Sequence, residues 1–138
     1  MAKLPCILLV DDDPTTNYLN RLLLEGLQVA YQVLIAENGQ DALRYLRQYG
    51  NDASKCPALI LLDINMPVLN GFEFLEAYND LAFAGKPSVI IVMLTTSLNP
   101  RDINRLQHMP LKGFLNKPLT RQKVEALFQE HFNQELPV

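Results

Sequence analysis

Five short apolar runs, each closed by polar residues, alternate with segments of helical spacing, and this alternation constrains the fold more than any other feature of the chain. The first run, Cys6-Ile7-Leu8-Leu9-Val10, is apolar at consecutive positions. Both of its faces must therefore be covered, as in a buried parallel strand. Val33-Leu34-Ile35-Ala36, Leu59-Ile60-Leu61-Leu62, Val89 to Leu94 and a short stretch near Gly113-Phe114-Leu115 repeat that character. Between them lie the helices. Asp13-Pro14 offers an acidic N-cap followed by proline at the first helical position, and Leu19, Leu22, Leu23 and Leu27 are expected to form the buried stripe of that helix. Asn38-Gly39 interrupts the second run, and Ala42, Leu43, Leu46 and Tyr49 follow at helical spacing. Gly50 to Lys55 reads as an exposed loop. The loop from Met66 to Gly71 leads into a helix with Phe72, Leu75 and Tyr78 on one side. Asn99-Pro100 should cap a short helix, and Thr120 a last one that runs to Phe132 with Val124, Leu127 and Phe128 facing inward.

Strand and helix alternating five times imply right-handed crossover units, hence one α/β domain: a doubly wound, five-stranded parallel sheet with five helices on its two faces. A chain of 138 residues, 49% of them hydrophobic, suits one such domain spanning 1–138 with a core of its own. The formal charge of -3, from 12 basic and 15 acidic residues, is poor bait for a phosphate backbone, so nucleic acid is not expected as a partner. No run of about 18 apolar residues could span a membrane, and the first apolar run ends in three acids rather than a cleavage site. The two cysteines, Cys6 and Cys56, are far apart in apolar settings and read as buried free thiols, with the cytoplasm as the expected location.

Parallel sheets place their ligands outside the carboxyl ends of the strands. At those ends stand Asp11-Asp12-Asp13, Asp63, Thr95-Thr96-Ser97 and Lys117. The second run ends at Ala36-Glu37 and is the odd one out, as expected of a strand at the sheet border. Three carboxylates in a partly buried cleft repel one another, and a divalent cation removes the conflict. Oxygen ligands with no His or Cys beside them point to Mg²⁺, with Mn²⁺ as the alternative, rather than zinc. Mg²⁺ leaves room for a phosphate, to which Lys117 adds a positive charge and Thr95 a hydroxyl donor. A carboxylate held in line can itself attack phosphorus and become an acyl phosphate.

The motifs Ile7-Leu8-Leu9-Val10-Asp11-Asp12-Asp13-Pro14, Leu61-Leu62-Asp63-Ile64-Asn65-Met66-Pro67 with Asn70-Gly71, Met93-Leu94-Thr95 and Phe114-Leu115-Asn116-Lys117-Pro118, in that order, resemble the receiver domain of two-component response regulators, in its stand-alone, chemotaxis-receiver-like form. The resemblance spans Ile7 to about Phe132. It implies a flavodoxin-like strand order 2-1-3-4-5 and a set of roles. Asp63 would be the phosphoacceptor, with Asp12, Asp63 and the backbone carbonyl of Asn65 on Mg²⁺ and Asp11 acting mainly through water. Thr95 and Lys117 would meet the phosphoryl oxygens, Phe114 would be the switch aromatic coupled to Thr95, and Lys117-Pro118 would be a cis peptide. The implied partners are a histidine kinase or histidine phosphotransfer protein and a downstream target of unknown identity, with the chain a monomer or a phosphorylation-dependent dimer. It would mediate only its own aspartyl phosphorylation and dephosphorylation, rather than act as an enzyme. The chain ends at Val138, soon after the last helix, so no effector domain is expected and output would pass through protein contacts.

Rival readings are weaker. A haloacid-dehalogenase-type phosphatase wants a second acid two residues after its nucleophile, where Asn65 stands. A receiver that never carries phosphate should lack an acid, the Thr or the Lys. A flavodoxin-like flavin binder wants a hydroxyl-rich loop where three acids stand. His108 and His131 lack matching ligand spacing, and Tyr18 and Tyr45 are expected on helix surfaces.

Overall fold

The computed structural model describes residues 3–64, 66, 69–96 and 100–133, excluding the side chains of residues 102 and 103. The strands are β1 (Leu4–Val10), β2 (Ala30–Ala36), β3 (Leu59–Leu62), β4 (Ile90–Thr95) and β5 (Gly113–Asn116). The helices are α1 (Pro14–Leu27), α2 (Gly39–Tyr49), α3 (Gly71–Asp80), α4 (Pro100–Leu106) and α5 (Arg121–Phe132), with a 3-10 turn over Lys86–Ser88. The sheet runs in the order β2-β1-β3-β4-β5 and every neighbouring pair is parallel. Among the described residues no helix is long and apolar enough to cross a membrane.

Successive residues of a strand face opposite sides, so each strand feeds two cores. Leu8, Val10, Ile60 and Leu62 turn to the layer that holds Leu46, Phe74 and Leu75. Ile7, Leu9, Leu59 and Leu61 turn to the other layer, with Leu24, Leu127 and Phe128. This two-sided burial is why the central runs are apolar throughout. Burying one such side chain stabilises the fold by about 1.5–3 kcal/mol.

The expected elements are all present, with shifted ends. β1 starts at Leu4 and β2 at Ala30, ahead of their apolar runs. The extra residues of β2 include exposed Tyr31 and Gln32, tolerated because this strand lies at the sheet border. α4 stops at Leu106. Asn99, its expected cap, lies outside the described residues, as do Asn65 and Ser97.

The stripe expected on α1 is a correction. Leu19 and Leu22 are 57% and 50% exposed, while Asn17, Asn20 and Leu24 are buried. Leu23 and Leu27 pack partly against the core, as expected. The helix is turned so that Asn17 reaches a backbone carbonyl at the end of β1, 2.7 Å away. Two buried asparagines therefore occupy the face that leucine spacing assigned elsewhere.

Tyr45 also departs from expectation. It packs against the core, its hydroxyl donates to the Lys55 carbonyl at 2.6 Å, and burial pushes its phenol well above the usual range. It thereby straps down the loop after α2. The Asn51 side chain accepts from the Ala84 amide at 2.7 Å and closes the same loop against the chain ahead of β4. Cys6 and Cys56 are free and buried, as expected.

Candidate functional site

β1 ends at Val10, and the acids that follow are held in three different ways. Asp11 is buried. Its amide donates to the Ala36 carbonyl at 3.1 Å, its Oδ1 accepts from the Asp13 amide at 3.0 Å, and its Oδ2 accepts from Lys117 Nζ at 2.7 Å. Its carbonyl is the one that Asn17 Nδ2 reaches. Asp12 is exposed at the mouth of the cleft. Asp13 caps α1, accepting from the Thr16 hydroxyl and the Thr15 amide, which hold its carboxyl below the ordinary value.

Asp63 follows β3, with its amide bonded to the Val10 carbonyl at 2.9 Å. β1 and β3 thus present their terminal acids side by side. One carboxylate oxygen from each of Asp11, Asp12 and Asp63 lies within 4.8 Å of the others. Lys117, placed by the turn after β5, approaches Asp63 Oδ1 to 3.4 Å. Its amide donates to the Thr95 carbonyl at 2.7 Å, which ties the end of β5 to the end of β4, and its bond to Pro118 is cis. Thr95 is buried at that end of β4. Phe114 lies on β5 with 43% of its surface exposed.

Burial raises the Asp63 carboxyl above its ordinary value, the Asp11 charge adds to the rise, and Lys117 opposes both. For Lys117, burial works against the charge, but the bond and charge of Asp11, then those of Asp63, prevail and hold the ammonium protonated above its usual range. One ammonium against three carboxylates leaves an excess of negative charge in a half-buried cleft. The donor set is hard oxygen, with no His or Cys in the cluster. These residues therefore fit Mg²⁺ or Mn²⁺. The carbonyl of Asn65, expected as a further ligand, lies outside the described residues.

Two supporting residues escaped the sequence reading. Asn17 was hidden by the leucine pattern of α1. Gly71 was visible as the start of a helix, but its packing was not. A Cβ on Gly71 would stand 2.6 Å from the Asp63 carbonyl oxygen and 2.9 Å from Ile64 Cα, both backbone atoms with little freedom to retreat. The Gly71 amide donates to the Ile64 carbonyl at 2.8 Å, so α3 starts pressed against the segment that carries Asp63. Gly71→Ala is expected to cost about 1–3 kcal/mol through this overlap. Urea denaturation checks it, and a variant as stable as the parent would show that α3 can slide away at no cost.

The family model of the response regulator receiver domain matches residues 7–129. Protein PilH of Pseudomonas aeruginosa is 34% identical over 117 residues, covering 84% of this chain and 88% of that protein. The two-component response regulator ORR1 of Oryza sativa is 29% identical over 123 residues, and the matched part is 52% of its length, so this chain spans about half of that relative. A two-component response regulator from Cytophaga hutchinsonii has the same fold, with a TM-score of 0.83, 28% identity and coverage of 96% of this chain and 100% of the other. With the acids of β1 and β3 and the lysine after β5 converging as they do, the chain belongs to the response regulator receiver domain family, whose members accept phosphoryl groups in two-component signalling.

Proposed function

We propose that Asp63 is the phosphoacceptor of this chain and that it takes its phosphoryl group from a phosphohistidine on a histidine kinase or histidine phosphotransfer protein. The observation that carries this reading is the convergence of Asp11, Asp12 and Asp63 within 4.8 Å, with Lys117 3.4 Å from Asp63. An Asp63 carboxylate oxygen attacks phosphorus, the P–N bond to the donor imidazole breaks, and that bond's electron pair stays on the imidazole nitrogen. Asp12 and Asp63, with Asp11 through water, would hold Mg²⁺, which when bound would supply positive charge against the carboxylates and the incoming phosphoryl oxygens. Lys117 and Thr95 then meet those oxygens, and the Lys117 ammonium keeps its proton throughout because its neighbours favour the charged form.

Donor docking has a visible support. Tyr18, Leu19 and Leu22 expose apolar surface along α1, and a cleft of about 210 Å³ lined by Thr16, Leu19, Lys117 and Pro118 opens beside them. A partner seated there would present its histidine close to Lys117. Output runs through the other side of the cleft, where Phe114 stands exposed on β5 next to the Thr95 end of β4. Recruiting Thr95 to a phosphoryl group shifts the Phe114 equilibrium and changes partner affinity, with a coupling of about 1–3 kcal/mol typical of such switches. The chain acts as a carrier that is modified and reset, in the cytoplasm, rather than as an enzyme with a separate substrate.

The test is phosphotransfer from a phosphorylated histidine phosphotransfer protein, or labelling by acetyl phosphate, with and without Mg²⁺. Labelling should need the cation and map by mass spectrometry to Asp63. Equal labelling in a chelator, or a phosphate on another residue, would sink the assignment. Mg²⁺ alone should raise the thermal midpoint, because only the folded state gathers the three acids, and a gain of about 2.7 kcal/mol is expected at one hundred times the dissociation constant.

A further inference from the structure

We propose that the outer edge of β2 is a self-pairing surface, at which a second copy of this chain adds its own β2 in antiparallel orientation and joins the two sheets across a twofold axis. Among the described residues β2 is bonded on one side only, to β1. Sheet edges of this kind are usually blunted by lysine, proline, a bulge or shortness. β2 uses none of these: its seven residues, Ala-Tyr-Gln-Val-Leu-Ile-Ala, include no charge, proline or glycine. The opposite edge, β5, has four residues and runs into Pro118 within two positions of its end.

The ladder shows which groups the edge offers. The Asp11 amide donates to the Ala36 carbonyl, while the Val10 and Cys6 carbonyls turn the other way and accept from Asp63 and Ala58, the residues just after and just before β3. By the alternation of a parallel ladder, Leu34 and Ala36 turn their polar groups toward β1, and Val33 and Ile35 turn theirs outward. A twofold axis through Val33 sets the two Val33 residues opposite one another and places each Ile35 opposite Tyr31 of the other copy. Tyr31 is 75% exposed, the most exposed large apolar side chain of the described residues. An aromatic facing a β-branched residue is a favourable cross-strand pair.

Charge selects the occupant. A groove of about 400 Å³ at the amino end of β2 is lined by Lys3, Tyr31, Gln32 and Lys55. Lys3 and Lys55 lie over the rings of Tyr31 and Tyr49, at 5.4 and 4.9 Å from their centroids, which fixes positive charge at this end. At the carboxyl end, exposed Glu37 follows the strand directly, and a second groove of about 370 Å³ is lined by Arg21, Leu34, Ile35 and Asp41. Arg21 and Arg44 also stand at this end, but Arg21 faces Glu25 at 3.9 Å and Arg44 faces Asp41 at 3.1 Å, so acids match or exceed bases there. Antiparallel self-pairing lays the lysine end of one copy on the acidic end of the other, at both ends of the interface. A closed twofold contact needs this self-complementarity. The surface is separate from the phosphoacceptor and the proposal does not depend on that assignment.

Sedimentation of the full chain over a wide concentration range tests it. A reversible monomer–dimer equilibrium that weakens with salt is expected, unchanged in Asp63→Asn and in chelator. Tyr31→Lys, at an exposed position, should weaken the dimer about tenfold or more while leaving the melting curve and the labelling by acetyl phosphate intact. Glu37→Lys and Lys55→Glu should each weaken it, and the two together should restore it. The proposal is overturned if the chain stays monomeric at about 200 μM, where a contact weaker than that would have no specific role. It is equally overturned if Tyr31→Lys dimerises like the parent, or if the charge swap brings no recovery.

Discussion

Asp63→Asn should abolish Mg²⁺-dependent labelling and, in metal-free protein at neutral pH, make the fold more stable than the parent. The first effect follows from chemistry. The amide has the shape of the acid but no anionic oxygen, so it cannot form the acyl phosphate. The second follows from linkage. In the folded state burial and the Asp11 charge lift the Asp63 carboxyl above the value of 3.8 that it has in an open chain. As pH rises through the window between those two values, the unfolded chain releases its proton first, so the parent loses stability there and does not regain it at higher pH. Below that window both states are protonated, and the acid and the amide should be nearly equal. The advantage of the variant therefore appears on going from acid to neutral pH. Mg²⁺ reverses the order, because the parent has all three carboxylates to offer. Urea midpoints in chelator and in Mg²⁺, at acid and neutral pH, test the whole pattern. A variant less stable than the parent at neutral pH in chelator would mean that the pull of Lys117 on Asp63 outweighs burial and Asp11 together.

The parts of this fold that were legible in the sequence are those where one physical demand acts alone. β1 and β3 are covered on both faces, so their apolar runs are continuous and could be read directly. Each ends where water and charge begin, so Asp11, Asp12, Asp63 and Lys117 could be assigned to one edge of the sheet before any geometry was known, and the structure brings them together. The misreadings occur where two demands compete. α1 must pack on the sheet and also support the acidic cleft, so Asn17 and Asn20 take buried positions and Leu19 and Leu22 are left outside. A rule that counts leucines finds the wrong face. β2 begins with residues that obey no apolar pattern because one of its sides is open. Gly71 is a third kind of case: the residue is easy to see, but the backbone approach that requires glycine arises from the packing of α3 on the end of β3 and is written nowhere near it in the chain.

Lys117→Met should be the most destabilising single change at the site. The methionine keeps most of the aliphatic length and deletes the ammonium. Asp11 then loses its 2.7 Å partner and Asp63 its 3.4 Å partner, with both carboxylates buried. Removing one side of a buried ion pair costs about 3–5 kcal/mol, and the open mouth at Asp12 places this site toward the lower end. The dependence on pH distinguishes this cause from lost packing. Lys117 is held protonated above its ordinary value of 10.5, so its stabilisation is present below that value and fades as pH rises through its higher folded one. Toward the acid end Asp63, whose carboxyl burial holds above its ordinary value, takes up its proton and no longer needs a partner, so the gap between variant and parent should narrow. Mg²⁺ should restore part of the lost stability, since a cation bound by Asp12 and Asp63 replaces some of the missing positive charge. It should not restore labelling if the lysine meets phosphoryl oxygens as proposed, since loss of one such contact typically slows transfer by about 100-fold or more. Lys117→Arg separates charge from position: it should recover stability better than labelling, because a planar fork cannot occupy the place of a compact ammonium. Chemical denaturation with and without Mg²⁺ across pH, read beside the initial rate of labelling, checks each step. A methionine variant that matches the parent in chelator at neutral pH would show that the acids do not depend on Lys117, and the electrostatic account of the cleft would fail with it.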